Sequence, residues 1–107
     1  MQGYQITFFT QQGRRYQGKL LGEWLIHLAM QLGLRGATIV SAAEGFGQSG
    51  RLHSARFFDL ADQPIEVQMM VTADQADELF LRVEAAGVEV FYVKTAVEYG
   101  VLGSPGT

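Results

Sequence analysis

Pro64-Ile65-Glu66-Val67-Gln68-Met69-Met70-Val71-Thr72-Ala73-Asp74-Gln75-Ala76 changes its hydrophobic rhythm halfway along, and that change decides the fold. Ile65, Val67, Met69 and Val71 alternate with polar Glu66 and Gln68, the period of a half-buried strand, and Pro64 suits its mouth. Thr72 then stands three residues before Gln75, the capping-box spacing that opens a helix. Ala76, Leu79, Phe80 and Val83 follow at helical steps on one face. Gly87 closes that helix, and Val88-Glu89-Val90-Phe91-Tyr92-Val93-Lys94 reads as a further strand.

The same alternation of periods occurs upstream. Residues 4–10 alternate and are rich in aromatic and β-branched side chains, so they read as a strand. Residues 11–18 form a polar, glycine-bounded connection. Leu20, Leu21, Trp24, Leu25, Leu28, Ala29 and Leu32 recur in steps of one, three and four, an amphipathic helix that Gly33 stops. Residues 36–43 make a strand of small residues, and 54–59 are expected to pair briefly with its end. The order is β-α-β-β-α-β, which predicts a ferredoxin-like α+β sandwich. One domain over 1–107 is expected, with 96–107 as a loosely ordered tail.

Two helices cover one face of such a sheet, and the other face should be polar. Here Phe8 and Phe9, Met69 and Met70, and Phe91 and Tyr92 must point to opposite faces, so both carry apolar side chains. That predicts a closed homo-oligomer in which a second copy covers the bare face.

The chain is 107 residues long, 48% hydrophobic and 18% charged, enough for one domain with a core. No apolar run approaches a membrane span, and no export signal opens the chain, so cytoplasmic localisation is expected. With no cysteine there are neither disulfides nor thiolate metal sites. A net charge of −3 lacks the basic excess of a nucleic-acid module and favours small anions over polyanions.

Between the second and third major strands lies Glu44-Gly45-Phe46-Gly47-Gln48-Ser49-Gly50-Arg51-Leu52-His53. Glycines this dense let backbone N–H groups converge on an anion, or simply make a flexible hairpin. Arg51 suits a phosphate or carboxylate. His53 suits a titrating group or anion holder, or a cap of the hairpin. Phe46 can stack on a base or plug the loop. His53 with Glu44 is only a pair, so no metal site is expected. Arg14, Arg15 and Lys19 precede a helix N-terminus and read as anion contacts or as solvated charges. Trp24 belongs to the core stripe, and His27 lies off that stripe, exposed. Ser49 is not in a G-x-S-x-G elbow and no acid is evident to orient His53, so no catalytic constellation is expected.

Gly36-Ala37-Thr38, Glu44-Gly45-Phe46-Gly47, Arg51-Leu52-His53-Ser54 and the Gly18-Lys19 pair before the first helix resemble the DUF190 branch of the PII-like signalling superfamily, over residues 4–93. The resemblance implies a homotrimer with ligand sites in the clefts between subunits and a mobile loop that reports to a partner protein such as a transporter or enzyme. On that pattern Gly45, Phe46, Gly47 and Gln48 match the start of the PII mobile loop. Thr38 matches a strand threonine near the nucleotide base, and Arg51 and His53 belong to the DUF190-like pattern. PII proteins that hold ATP carry a glycine- and lysine-bearing loop before the last strand, and C-terminal arginines. Ala85-Ala86-Gly87-Val88-Glu89 has no lysine, and Lys94 is the only nearby cation, so a PII-type triphosphate cradle is not expected. No cofactor is fixed; an adenine nucleotide with fewer phosphates, or another small anion, is the expected ligand of residues 45–53. The alternatives are a phosphoryl-handling enzyme at the same cleft and a ligand-independent interaction trimer.

Overall fold

A computed structural model of the chain describes residues 1–41, 44–46, 52–54 and 62–103, the second and third groups through their backbone. In chain order the elements are β1 (Gln2–Gln11), β2 (Arg15–Tyr16), β3 (Lys19–Leu20), α1 (Leu21–Gln31), β4 (Ala37–Ser41), β5 (Glu44–Phe46), β6 (Leu52–Ser54), β7 (Pro64–Val71), α2 (Ala73–Ala85) and β8 (Phe91–Glu98). Four strands make one sheet in the order β4-β7-β1-β8, every neighbouring pair antiparallel. This is the ferredoxin-like arrangement expected from the sequence, with β1 and β7 central and β4 and β8 at the edges.

Register follows from the period of two. Ile6 pairs with Met69 and Phe8 with Val67, and all four side chains are buried under the helices. From above, α1 contributes Leu21, Leu25, Leu28 and Ala29 to this core, and α2 contributes Ala76, Leu79 and Val83. Most helical stability comes from such a buried stripe rather than from propensity. α2 is also held at its start: Gln75 N–H donates to Thr72 Oγ1 at 3.2 Å, and Thr72 N–H donates to Gln75 Oε1 at 2.9 Å. The capping box read from the sequence is therefore formed in full.

Among the described residues, no helix lies over the sheet's other face. There the rows run Thr38–Gln68–Thr7–Val93 and Val40–Glu66–Phe9–Phe91 across the strands. The Phe9 and Phe91 rings touch, centroids 5.6 Å apart, yet both remain substantially exposed at 37% and 52%. Thr7, on the central strand, is the one buried polar side chain of the described residues. Apolar groups thus occupy both faces, as the paired aromatics of the sequence imply.

Four expectations are corrected. First, the connection 11–18 carries structure of its own. β2 and β3 form a tight hairpin through Gln17 (φ 50°) and Gly18 (φ 79°), a two-residue turn with both central residues left-handed. Gly18 is therefore a turn residue, and α1 begins at Leu21. Second, the strand that should begin at Val88 begins at Phe91 and runs to Glu98. The chain first has to leave α2: Gly87 N–H returns to Glu84 O and Val88 N–H to Val83 O, which keeps 88–90 out of the ladder.

Third, the expected tail starts too early. Residues 96–98 pair with Gln2–Tyr4, and Tyr99 exchanges backbone hydrogen bonds with Met1, both 2.9 Å. Fourth, Ser54 pairs with Glu44 rather than with the end of β4, and residues 55–59 lie outside the described residues.

The clasp of chain ends leaves no room for a side chain at Gly3. A Cβ there would lie 2.3 Å from the Val71 carbonyl oxygen and 2.7 Å from the Tyr99 ring. Backbone cannot yield cheaply, so Gly3→Ala is expected to cost about 1–3 kcal/mol, the range for overpacking a filled site. Urea denaturation would show it as a lower midpoint with an unchanged slope.

Candidate functional site

β4 and β1 run in the same direction, so the C-terminal ends of both strands and the N-terminal ends of β7 and β8 gather at one end of the sheet. From this end the chain leaves β4 and forms a second ribbon in which Glu44 pairs with Ser54, Gly45 with His53 and Phe46 with Leu52. The glycine-rich stretch is thus a hairpin whose stem is β5 and β6. That stem brings the backbone of Gly45, Phe46 and His53 together, three of the positions singled out by sequence. Gly47, Gln48 and Arg51 lie outside the described residues.

Thr38 sits in β4 on the helix-free face, exposed, directly opposite Gln68. The Gln68 amide donates to Glu66 Oε1 at 3.2 Å, and Gln5 donates to Thr7 Oγ1 at 3.4 Å, so a polar strip crosses the middle of this face beside the apolar Val40–Phe9–Phe91 row. Thr38 therefore opens onto a surface with hydrogen-bonding groups on it. Gln68 and Val40 share that surface and were not singled out from sequence. Only the strand register places them there, because a polar residue on a bare face looks like any solvated one until its neighbours are known.

Arg14 and Arg15 are spent on the scaffold. The Arg14 guanidinium donates to the Glu89 carbonyl, and Arg15 Nη1 donates to Gly18 O at 2.9 Å. Tyr16 OH donates to Ala86 O at 3.0 Å, so the β2–β3 hairpin is tied to the exit of α2. Both arginines stay at the surface, in keeping with the solvated reading, and each also donates to a loop carbonyl. Lys94, read as the nearest cation to the missing phosphate loop, points to the helix side. Its Nζ lies 4.3 Å above the Tyr4 ring centroid, a cation–π contact. Among the described residues no three His, Asp or Glu side chains gather as a metal site, and no helix is long and apolar enough to cross a membrane.

These features define a PII-like ferredoxin fold: helices on one face, an apolar-and-polar bare face, and a hairpin after the second major strand. Residues 3–98 match the DUF190 family, described as an uncharacterised group, and the chain belongs to that family. A UPF0166 protein of Aquifex aeolicus (strain VF5) is 27% identical over 66 residues; the match covers 61% of this chain and 63% of that relative's length. A candidate PII-like signalling protein from Thermus thermophilus superposes with a TM-score of 0.67 at 21% identity, covering 91% of this chain and 88% of the other. CPII, a nitrogen regulatory PII-like protein from Thiomonas intermedia K12 bound to ADP, AMP and bicarbonate, also gives 0.67, at 15% identity over 94% of this chain and 97% of that one. At these identities the two superpositions show the shared fold.

Proposed function

We propose that this chain is a PII-like regulator rather than an enzyme. Three copies join through the helix-free sheet face, and a small anion, in the first instance an adenine nucleotide, binds in the clefts between them. The observation that carries the reading is the placement of Thr38 and the β5–β6 stem at one sheet edge, beside a bare face that needs a partner copy. Support comes from CPII, whose structure holds ADP, AMP and bicarbonate on the same fold. Ligand binding would bias the 45–53 hairpin between two states, and a partner protein would read the difference. Such a switch operates only if the ligand binds the two states unequally. In this proposal Arg51 supplies the anion contact, with His53 and the backbone N–H groups of Gly45 and Gly47 assisting, while Phe46 and Gln48 meet the base or the partner.

The test is a thermal-shift panel on the purified oligomer with AMP, ADP, ATP, cyclic nucleotides and bicarbonate. A ligand that binds the folded state at about a hundred times its Kd stabilises it by about 2.7 kcal/mol, a rise of several degrees. The expected result is such a rise with at least one adenine nucleotide, abolished by Arg51→Ala. A flat panel would reject nucleotide sensing and leave the chain as an interaction trimer.

A further inference from the structure

The helix layer carries a cavity that the reading above does not use. Between α1 and the C-terminal half of α2 lies a space of about 220 Å³ lined by Lys19, Trp24, His27, Leu28, Gln31 and Arg82. At roughly 30 Å³ of liquid volume per water, it has room for several waters or one small ligand. It lies on the opposite side of the sheet from Phe9 and Phe91, so assembly through the bare face leaves it open.

Three of its lining residues bring nitrogen-bearing side chains from three different elements: Lys19 from β3, His27 from α1 and Arg82 from α2. Lys19 and Arg82 are the charged groups of the lining, and Glu78, paired with Arg82, offsets part of that charge. Arg82 Nε donates to Glu78 Oε1 at 3.1 Å in a half-exposed i,i+4 pair, and the terminal NH2 groups of its fork can meet a second acceptor. The aromatic part of the lining is packed in place. Trp24 packs on Tyr16, ring centroids 4.9 Å apart, and Tyr16 is anchored through its hydroxyl to Ala86 O. Leu28 is buried at the floor. Trp24 and Leu28 thus share the pocket with the exposed nitrogen-bearing side chains of Lys19, His27, Gln31 and Arg82.

We infer that this inter-helix cavity is a second ligand site, which takes a small phosphomonoester. The phosphate sits among Lys19, His27, Gln31 and Arg82, and the organic group lies on Trp24 and Leu28. A phosphate suits donors arriving from separate directions, since its oxygens are tetrahedrally disposed and doubly charged near neutrality. None of the lining residues belongs to the 45–53 stretch.

Trp24 is the only tryptophan of the chain, so its fluorescence reports on this cavity alone. The experiment titrates the purified oligomer with phenyl phosphate, benzoate and phenol and follows that emission. Saturable quenching by phenyl phosphate is expected, with phenol silent and benzoate at least tenfold weaker. Lys19→Gln and Arg82→Gln should each weaken phenyl phosphate about tenfold, the scale of a lost charge-assisted hydrogen bond. Both side chains are exposed, and the unchanged melting temperature of each variant checks that the fold is kept. Arg51→Ala should leave the titration unchanged, which separates this site from the proposed nucleotide cleft. Equal response to benzoate, unsaturable quenching, or quenching indifferent to both substitutions would overturn the inference.

Discussion

Phe8→Ala is expected to lower stability by about 3–5 kcal/mol, the range for truncating a buried phenylalanine. Phe8 is 1% exposed and lies in the central strand, paired with Val67 on one side and Tyr92 on the other. Its ring fills the space beneath the helices, so the truncation leaves a cavity between sheet and helices that close packing cannot refill. For a domain of this size that is a large share of the total stability. Urea denaturation of the variant would measure the loss. A change below about 1 kcal/mol would show that the core collapses around the void, contrary to the packing described.

Phe9, the next residue, should behave in the opposite way. The double variant Phe9→Asp, Phe91→Asp is expected to remain folded and to fall apart into single chains. Both rings lie on the helix-free face, 5.6 Å apart, and take no part in the buried core. Each phenylalanine withdrawn from water at an interface contributes about 1.5–3 kcal/mol, and the carboxylates would add the cost of burying charge. Sedimentation or light scattering should report a species near the 11.8 kDa chain mass instead of three times that value. The circular dichroism spectrum should keep its native shape. An unchanged oligomer would place the interface elsewhere and remove the trimer proposed above.

This pair of neighbours also shows what the sequence could and could not reveal. Alternation alone sends Phe8 and Phe9 to opposite faces, and the structure follows it residue by residue. The helix stripes and the Thr72–Gln75 box were legible for the same reason: they are local patterns whose geometry is set within a few residues. The start of β8 was not. Val88 and Val90 alternate as a strand would, but their backbone is still unwinding from α2 and their side chains pack against the core.

Arg14 and Arg15 were illegible in another sense. Composition gives their charge, but only the folded hairpin reveals that carbonyls of Glu89 and Gly18 take up their donors. The cavity at Trp24 shows the same limit. Lys19, His27 and Arg82 are separated in sequence by as much as 63 positions and line one pocket only because the fold sets α1 and α2 on the same side of the sheet. For the hairpin, density of glycine marked the place, while the Gly45–His53 pairing that makes its stem is a property of two short strands with no periodicity to read.

The outer position of β8 bears on how safely this protein exists as a single chain. Eight residues long, it is hydrogen-bonded among the described residues to β1 along one side only, and Phe91, Tyr92 and Val93 are 52%, 50% and 42% exposed. A long apolar strand with one free row of N–H and C=O groups is a template for strand-to-strand growth between molecules. Lys94 and Glu98 are the charges in that strand that oppose such growth, and Lys94 is drawn over Tyr4 on the helix side. Association through the helix-free face would cover Phe91 and Val93 but not this edge, so Lys94 and Glu98 remain its guards against fibrous self-assembly.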